Sequence, residues 1–139
     1  MNWFWWALLS ALFAGITAIL AKMGVAGVDS NLATAVRTTV VLVFAWIVFF
    51  ATAPARNLLQ LTVRNWVFLV LSGFATGLSW LCYFRALQLG EASRVAPVDK
   101  LSVVFAIAFA ALILREHLSW HQCVGGLLVV GGAIVLAFK

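Results

Sequence analysis

Long apolar segments alternate with short polar ones along the whole chain, and their lengths fit membrane-spanning helices. The hydrocarbon core of a bilayer is about 30 Å thick, so a helix needs about 20 mostly apolar residues to cross it. Charges and turn residues divide the chain into five such segments. They predict helices at about residues 3–21, 32–53, 66–87, 95–114 and 123–138. The pattern therefore predicts an all-α integral membrane protein with five transmembrane helices.

Residues that cap or stop helices mark several of the predicted ends. The second helix follows three good N-cap residues, Asp29, Ser30 and Asn31. It stops at Pro54, because proline interrupts the backbone hydrogen bonding of a helix. Ser93 begins the fourth helix and places Pro97 in its first turn, where the missing N–H costs little. The N-terminal segment lacks the basic start of a signal peptide, so we expect it to remain as the first transmembrane helix.

Composition supports a membrane protein and argues against a soluble one. Of the 139 residues, 65% are hydrophobic and only 9% are charged, and a soluble domain of this size needs more polar surface. The net charge of +5 does not indicate a nucleic-acid-binding protein, because the basic residues are scattered between apolar runs. We expect them instead to lie near anionic lipid head groups.

The sequence contains no arrangement that is typical of an enzyme or a metal site. A phosphate-binding loop, a nucleophile with its base and a pair of catalytic carboxylates are all missing from the sequence. His117 and His121 are best interpreted as interfacial residues, and Cys82 and Cys123 as buried free thiols within apolar runs. We therefore expect no enzymatic activity, no cofactor and no metal ion.

The positions of the basic residues give little preference for one orientation in the membrane. We call the face at the N-terminus side A and the opposite face side B. Basic residues near side A are Arg56, Arg64 and Arg115, and those near side B are Lys22, Arg37, Arg85, Arg94, Lys100 and Lys139. Arg37 and Lys100 lie inside apolar segments and are left out of this comparison. With the N-terminal amine added to side A, the two sides then carry equal numbers of positive charges. This weak bias fits a chain that inserts in both orientations, and it also fits short loops that carry few charges.

Several charged residues lie at the side-B ends of the predicted helices, inside or next to the apolar slab. Asp99 and Lys100 are near the start of helix 4, and Arg37 on helix 2 lies about 4–5 Å inside the apolar slab by the rise per residue. Lys22 and Arg85 are at helix ends, from which their side chains can extend to the interface. Pairing Asp99 with Arg37 or Arg85 would offset much of the cost of placing a charge at this depth.

Two interpretations of these charges remain open. They can form a structural ion pair that connects helices 2, 3 and 4. Alternatively, they can form the mouth of a cavity whose surplus positive charge suits an anionic or zwitterionic substrate, with Asp99 as a proton-coupling switch. The candidate residues for a substrate or coupling site are Arg37, Asp99, Lys100, Arg85 and Lys22.

Polar side chains inside the apolar segments are candidates for lining a cavity. Four of them share one face of helix 3. Hydroxyl groups in membrane helices also often bond to the backbone of their own helix, so a structural role is the alternative. The candidates are Thr34, Thr38, Ser72, Thr76, Ser79, Tyr83 and Ser102.

Glycines on helices 3 and 5 predict close approach of another helix. Gly73 and Gly77 form a GxxxG motif, which lets two backbones come close together. Helix 5 carries no charged or hydroxyl residue over 123–138, so it is interpreted as a packing or dimer-contact helix. The candidate packing residues are Gly73, Gly77, Gly125, Gly131 and Gly132.

The C-terminal half contains a recognisable series of motifs. Arg85-Ala86-Leu87 ends helix 3, Pro97 opens helix 4, Glu116 closes it, and a glycine-rich last helix follows. In these features the chain resembles the EamA-domain repeat of the drug/metabolite transporter superfamily. The resemblance implies that the chain is one transporter repeat. Most members of the superfamily contain two such repeats in inverted orientation, which together form ten helices. This chain resembles the small single-repeat members, which implies an antiparallel homodimer.

The same resemblance sets the functional expectation. Helix 1 has no acidic residue, unlike the small multidrug-resistance branch, so proton-coupled export of cationic drugs by that mechanism is not expected. We expect a secondary transporter of small metabolites that works by alternating access in a bacterial or archaeal cytoplasmic membrane. The alternatives are a flippase for an anionic lipid-linked group and a non-transporting membrane subunit. The identity of the substrate is beyond the sequence.

Overall fold

In a computed structural model, residues 2–54 and 60–138 are described, and the regular elements they form are helices. These are α1 (Trp3–Gly24), α2 (Ser30–Thr52), α3 (Val63–Leu89), α4 (Ala92–Asp99), α5 (Ser102–Ile113) and α6 (Trp120–Ala137). α4 and α5 together form one span, Ala92–Ile113, so five spans in the described residues are long and apolar enough to cross a membrane. The predicted fold class is therefore confirmed. Arg56 and Lys139, which entered the charge count, lie outside the described residues.

The spans expose most of their apolar side chains, as helices surrounded by lipid do. In no span is more than 11% of the most hydrophobic window buried. Lipid solvates apolar side chains while each helix satisfies its own backbone groups, so this exposure is stable in a bilayer. The prediction that Cys82 and Cys123 are buried was wrong, because both are exposed free thiols. Apolar surroundings along the sequence do not distinguish the lipid-facing surface from the interior of a membrane protein.

The described residues form two compact units. The first contains α1, α4, α5 and α6, and the second contains α2 and α3 within Gly24–Gln88. In the first unit α6 packs against both α4 and α5. In the second unit the buried side chains are concentrated at the side-B ends of the two helices, at Ser30, Thr34, Phe84 and Leu87. The buried residues of the second unit therefore lie at the end at which charged candidates were predicted.

Four helices (α2, α3, α4 and α6) begin earlier than predicted, and polar side chains cap two of them. The Asp29 carboxylate accepts hydrogen bonds from the backbone N–H groups of Asn31 (2.9 Å) and Leu32 (3.0 Å), so α2 begins at Ser30. α6 begins at Trp120 because Ser119 and Gln122 form a capping box. The Ser119 hydroxyl oxygen accepts from the Gln122 N–H (3.3 Å), and Gln122 Oε1 accepts from the Ser119 N–H (2.8 Å).

Replacing Ser119 with alanine is expected to destabilise the start of α6. The substitution removes the acceptor for the Gln122 N–H, and loss of such a cap costs about 1 kcal/mol. The free energy of unfolding should fall by this amount in a detergent titration of the purified protein. Gln122→Glu is the control, because glutamate also completes a capping box; equal stability of Ser119→Ala and the wild type would contradict the prediction.

Candidate functional site

Arg37 on α2 lies over aromatic side chains of α3, within the second unit. Its Cζ atom lies 4.2 Å from the centroid of the Trp80 ring and 5.6 Å from that of Phe84. Arg37 is half-buried and lies about two helical turns from Ser30. The faces of aromatic rings attract a guanidinium group, which offsets part of the cost of placing a cation among apolar groups. The structure therefore gives Arg37 a partner within its own unit.

The aromatic partners of Arg37 are not among the site residues predicted from the sequence. Trp80 and Phe84 are four residues apart on α3 and so share one face of the helix. They lie near the side-B end of α3, as Arg37 lies near the side-B end of α2. A lone arginine inside a span, with paired aromatic residues at similar depth on the next helix, is the signal that could have identified them.

The threonines near Arg37 donate hydrogen bonds to their own helix. Thr34 Oγ1 donates to the carbonyl oxygen of Ser30 (2.8 Å), and Thr38 Oγ1 donates to that of Thr34 (2.7 Å). Thr76 makes the same bond on α3, to the carbonyl oxygen of Ser72 (2.9 Å). Each hydroxyl therefore donates its one proton to its own helix and can only accept a further hydrogen bond. A cavity-lining role stays a prediction for these residues and for Ser72, Ser79, Tyr83 and Ser102.

Lys22 and Arg85 contact nearby groups at the side-B ends of helices. In the first unit, Lys22 Nζ donates to the carbonyl oxygen of Gly90 (2.7 Å). In the second unit, Arg85 Nη1 donates to Gln88 Oε1 (2.9 Å), and Gln88 Nε2 donates to the carbonyl oxygen of Val28 (2.6 Å). These bonds hold loops against helix ends. Both residues thus have a structural role, and a part in substrate binding stays a prediction.

The span formed by α4 and α5 is interrupted at Lys100 and Leu101. The helix begins at Ala92, so Pro97 lies in its second turn and not in its first as predicted. Proline has no N–H to donate to the carbonyl oxygen of Ser93, which weakens the helix at this point. Beyond it, the N–H of Leu101 donates to the carbonyl oxygen of Val98 (3.0 Å), a tighter i to i−3 bond. A tightened turn inside a span is a typical position for a functional hinge.

Asp99 and Lys100 form an ion pair at this interruption. Lys100 Nζ lies 3.5 Å from Asp99 Oδ2, and the Asp99 side chain is 36% exposed. The other ion pair of α4, between Arg94 and Glu91, has an N–O distance of 3.1 Å and a Glu91 side chain that is 71% exposed. Asp99 is thus the more enclosed of the two carboxylates. Its predicted pairing with Arg37 or Arg85 is not tested by these contacts.

The predicted packing glycines have no close neighbours within the described part of the chain. A Cβ atom added to any of them meets no atom within 4 Å; they are Gly73, Gly77, Gly125, Gly131 and Gly132. Gly73 and Gly77 instead form the floor of a shallow apolar groove on α3, lined also by Val70, Phe74, Leu78 and Leu81. Their contact with a second helix stays a prediction. Gly126, which was not predicted, packs on α5, and its added Cβ would lie 3.9 Å from Ile107 Cδ1.

Replacing Gly126 with leucine is expected to destabilise the monomer. The larger side chain would be forced against Ile107, and overpacking of this kind costs about 1–3 kcal/mol. Gly132→Leu is the matched control on the same helix, because its side chain enters open space within the described chain. Unfolding of the monomer in detergent should separate the two variants; equal stabilities would contradict the observed packing of α6 on α5.

Comparison with known proteins establishes the family. The sequence pattern of the EamA-like transporter family matches residues 1–138. The chain belongs to this family. Together with the five apolar spans, this makes the protein a multi-pass membrane protein of a transporter family. The resemblance found in the C-terminal half of the sequence is thereby confirmed and extended to almost the whole chain.

Two bacterial proteins are similar to the chain in sequence. An "uncharacterized transporter in cobO 3'region" from Sinorhizobium sp is 48% identical over 136 residues, which covers 98% of this chain and 96% of the relative. A "probable 4-amino-4-deoxy-L-arabinose-phosphoundecaprenol flippase subunit ArnE" from Pseudomonas fluorescens is 33% identical over 79 residues, which covers 57% of this chain and 68% of the relative. No solved structure matches the chain significantly.

Proposed function

We propose that this protein is a secondary transporter of small metabolites that works by alternating access. The observation that carries the proposal is the interrupted span α4–α5, with the Asp99–Lys100 pair at its interruption, in a member of a transporter family. Discontinuous helices and ionisable residues within spans are typical of the binding and coupling sites of secondary transporters. Asp99 is the proposed coupling group, and Lys100, Arg37, Arg85 and Lys22 supply positive charge for the substrate.

The proposed transporting unit is an antiparallel homodimer. Many secondary transporters consist of two inverted repeats with the binding site at their interface. This chain supplies one set of five spans, and its weak charge bias suits insertion in both orientations. A second copy in the opposite orientation would therefore supply the inverted half.

The proposal is tested by reconstituting the purified protein in vesicles without ATP. A panel of small anionic, zwitterionic and cationic metabolites should include at least one that accumulates when a pH gradient is imposed. Accumulation should be lost on addition of a protonophore. Absence of uptake across the panel by folded protein, or uptake that depends on ATP, would contradict the proposal.

Substitution of a dimer-contact glycine is expected to weaken the homodimer without unfolding the monomer. Gly131→Leu and Gly132→Leu place a bulky side chain in space that is open in the described chain but would face a second copy. Cross-linking in membranes should show a smaller dimer fraction for these variants than for the wild type. An unchanged dimer fraction would remove these glycines from the interface.

A second candidate function is flipping of an anionic lipid-linked group. It is favoured by the similarity to a probable flippase subunit and by the basic residues on side B. The same vesicles can be tested with a fluorescent anionic lipid, whose transfer between leaflets is followed by chemical quenching from outside. Transfer should depend on Arg37 and Lys100; equal rates for Arg37→Gln, Lys100→Gln and the wild type would reject this function.

The third candidate is a non-transporting membrane subunit, which the word "subunit" in the name of that relative favours. This function predicts that the isolated protein is not stabilised by any compound of the panel. It also predicts that loss of the protein affects cells only when a partner is present. Stabilisation by a transported compound would exclude it.

A further inference from the structure

The contacts of Arg37 with aromatic rings leave its hydrogen-bond donors available. A guanidinium group that lies over an aromatic ring uses its flat face, and its five N–H donors point outward in the plane of the group. The Arg37 Cζ atom lies over the Trp80 ring, 4.2 Å from its centroid. No hydrogen bond or ion pair of Arg37 is found among the described residues of its own unit. Its donors thus make no hydrogen bond to the described residues of that unit.

The second unit also lacks a carboxylate that could neutralise Arg37. Asp29 is the one acidic residue in the segment Gly24–Gln88. Its carboxylate caps α2 through the N–H groups of Asn31 and Leu32, and it lies about two turns of helix from Arg37. Donors of a charged group in apolar surroundings are costly when they have no partner. The site therefore favours a ligand that brings the missing negative charge.

We infer that the Arg37 guanidinium, held by the Trp80 ring, binds an oxyanion of the substrate, either a phosphate ester or a carboxylate. Both groups offer two oxygen atoms that match the paired N–H donors of one guanidinium edge. Arg37 is half-buried, so part of its side chain is accessible. The inference rests on the proposed transport function and specifies its substrate class. It applies equally to a free metabolite and to the head group of a lipid.

Trp80 acts in this inference as a positioning residue. Its ring contacts the guanidinium, and the Phe84 ring also lies against this group with its centroid 5.6 Å from Cζ. A lysine at position 37 would retain the charge but lose the planar group that stacks and forms paired bonds. Arg37→Lys is therefore expected to bind an oxyanion nearly as poorly as Arg37→Gln does.

The test measures binding of defined anions to the purified full-length chain in neutral detergent. The membrane-borne probes are dioctanoyl phosphatidic acid and decanoate, the free probes are glycerol 3-phosphate and acetate, and dioctanoylglycerol is the uncharged control. At least one anion should bind more tightly than the control, and Arg37→Gln should weaken that binding at least tenfold. Binding of the membrane-borne probes alone would identify a lipid substrate, and binding of a free probe would identify a soluble metabolite.

Arg64 provides the matched control for a general charge effect. It too lies near an aromatic ring of α3, with Cζ 5.9 Å from the centroid of Phe68, but at the opposite end of the helix. Arg64→Gln should change the affinity less than twofold. Equal losses for the two variants, no loss for Arg37→Gln, or no preference for anions in the wild type would each overturn the inference.

Variants of Trp80 separate positioning from a general loss of structure. Trp80→Phe keeps a ring under the guanidinium and should retain binding within threefold, whereas Trp80→Ala should lose as much as Arg37→Gln. Wild-type affinity in Trp80→Ala would reject the positioning role. Loss in Trp80→Phe equal to that in Trp80→Ala would reject it as well.

Transport assays on the same variants distinguish this inference from the proposed function. If the wild type binds an anion through Arg37 but transports nothing, the proposed function fails and the binding site stands. If the wild type transports a compound and Arg37→Gln transports it at the same rate, the proposed function stands and the binding site fails.

Discussion

Asp99→Asn is expected to abolish gradient-driven uptake in reconstituted vesicles, lowering the initial rate by about a hundredfold or more. Asparagine has nearly the size of aspartate but cannot take up or release a proton, so a coupling group would be lost while the fold remains. Asp99 is suited to coupling because it lies at the interruption between α4 and α5 and is only partly exposed. A change in its charge would alter its interaction with Lys100 at the point where the span is held by a tightened turn.

Glu91→Gln is the matched control for this prediction. Glu91 also pairs with a basic residue of α4, but its side chain is mostly exposed, and exposed ion pairs contribute little. Its uptake rate should remain close to that of the wild type. Equal rates for Asp99→Asn and Glu91→Gln would remove Asp99 from the mechanism.

Lys100 variants distinguish a coupling role from a purely structural ion pair. If the pair only stabilises the interruption, Asp99→Asn and Lys100→Gln should lower the unfolding midpoint by similar amounts, and uptake should fall only as far as folded protein is lost. If Asp99 couples transport to protons, folded Asp99→Asn should still bind substrate but fail to accumulate it. Measuring the unfolding midpoint and the uptake rate on the same samples separates these outcomes.

The five spans could be predicted from the sequence because a bilayer imposes one strict requirement. Each span must satisfy its backbone groups internally and present apolar side chains to lipid, so a run of about 20 apolar residues suffices to identify it. Details that depend on single polar residues were harder to predict. The start of α6 was placed at 123 because the Ser119–Gln122 capping box lies outside the apolar run. The assignment of Pro97 to the first turn failed because the helix begins at Ala92 and not at Ser93.

The surroundings of Arg37 could not be predicted by looking for opposite charges. Charge alone suggests Asp99 as a partner of Arg37 or Arg85, a pairing that stays a prediction, and gives no sign that the guanidinium lies over Trp80 and Phe84. Hydropathy treats such rings as apolar residues and carries no information on which face a neighbouring helix presents. The adjacent glycines of α6 raise the same difficulty. Gly125 and Gly126 lie on helix faces about 100° apart, and the sequence does not show which face contacts α5. In the structure it is Gly126 that lies next to Ile107.

Fixing the orientation of the chain is expected to inactivate it, and combining the two fixed orientations is expected to restore transport. Basic residues added on one side bias that side toward the cytoplasm. Asn2→Lys with Gln60→Lys adds charge on side A, and Ala26→Lys with Ser93→Arg adds charge on side B; all four positions are exposed. Each double variant should insert in a single orientation, which reporters fused to the C-terminus would verify.

An antiparallel dimer requires both orientations in the same membrane. Either double variant alone should therefore lack uptake, while co-expression should recover a large part of the wild-type rate. The control is co-expression of either variant with its own Asp99→Asn derivative, which supplies two chains in one orientation and should remain inactive. Full activity of one singly oriented variant would exclude the antiparallel dimer as the transporting unit and favour a parallel assembly. Inactivity of the mixed pair, with both chains folded and oppositely inserted, would instead indicate that a different protein supplies the inverted half.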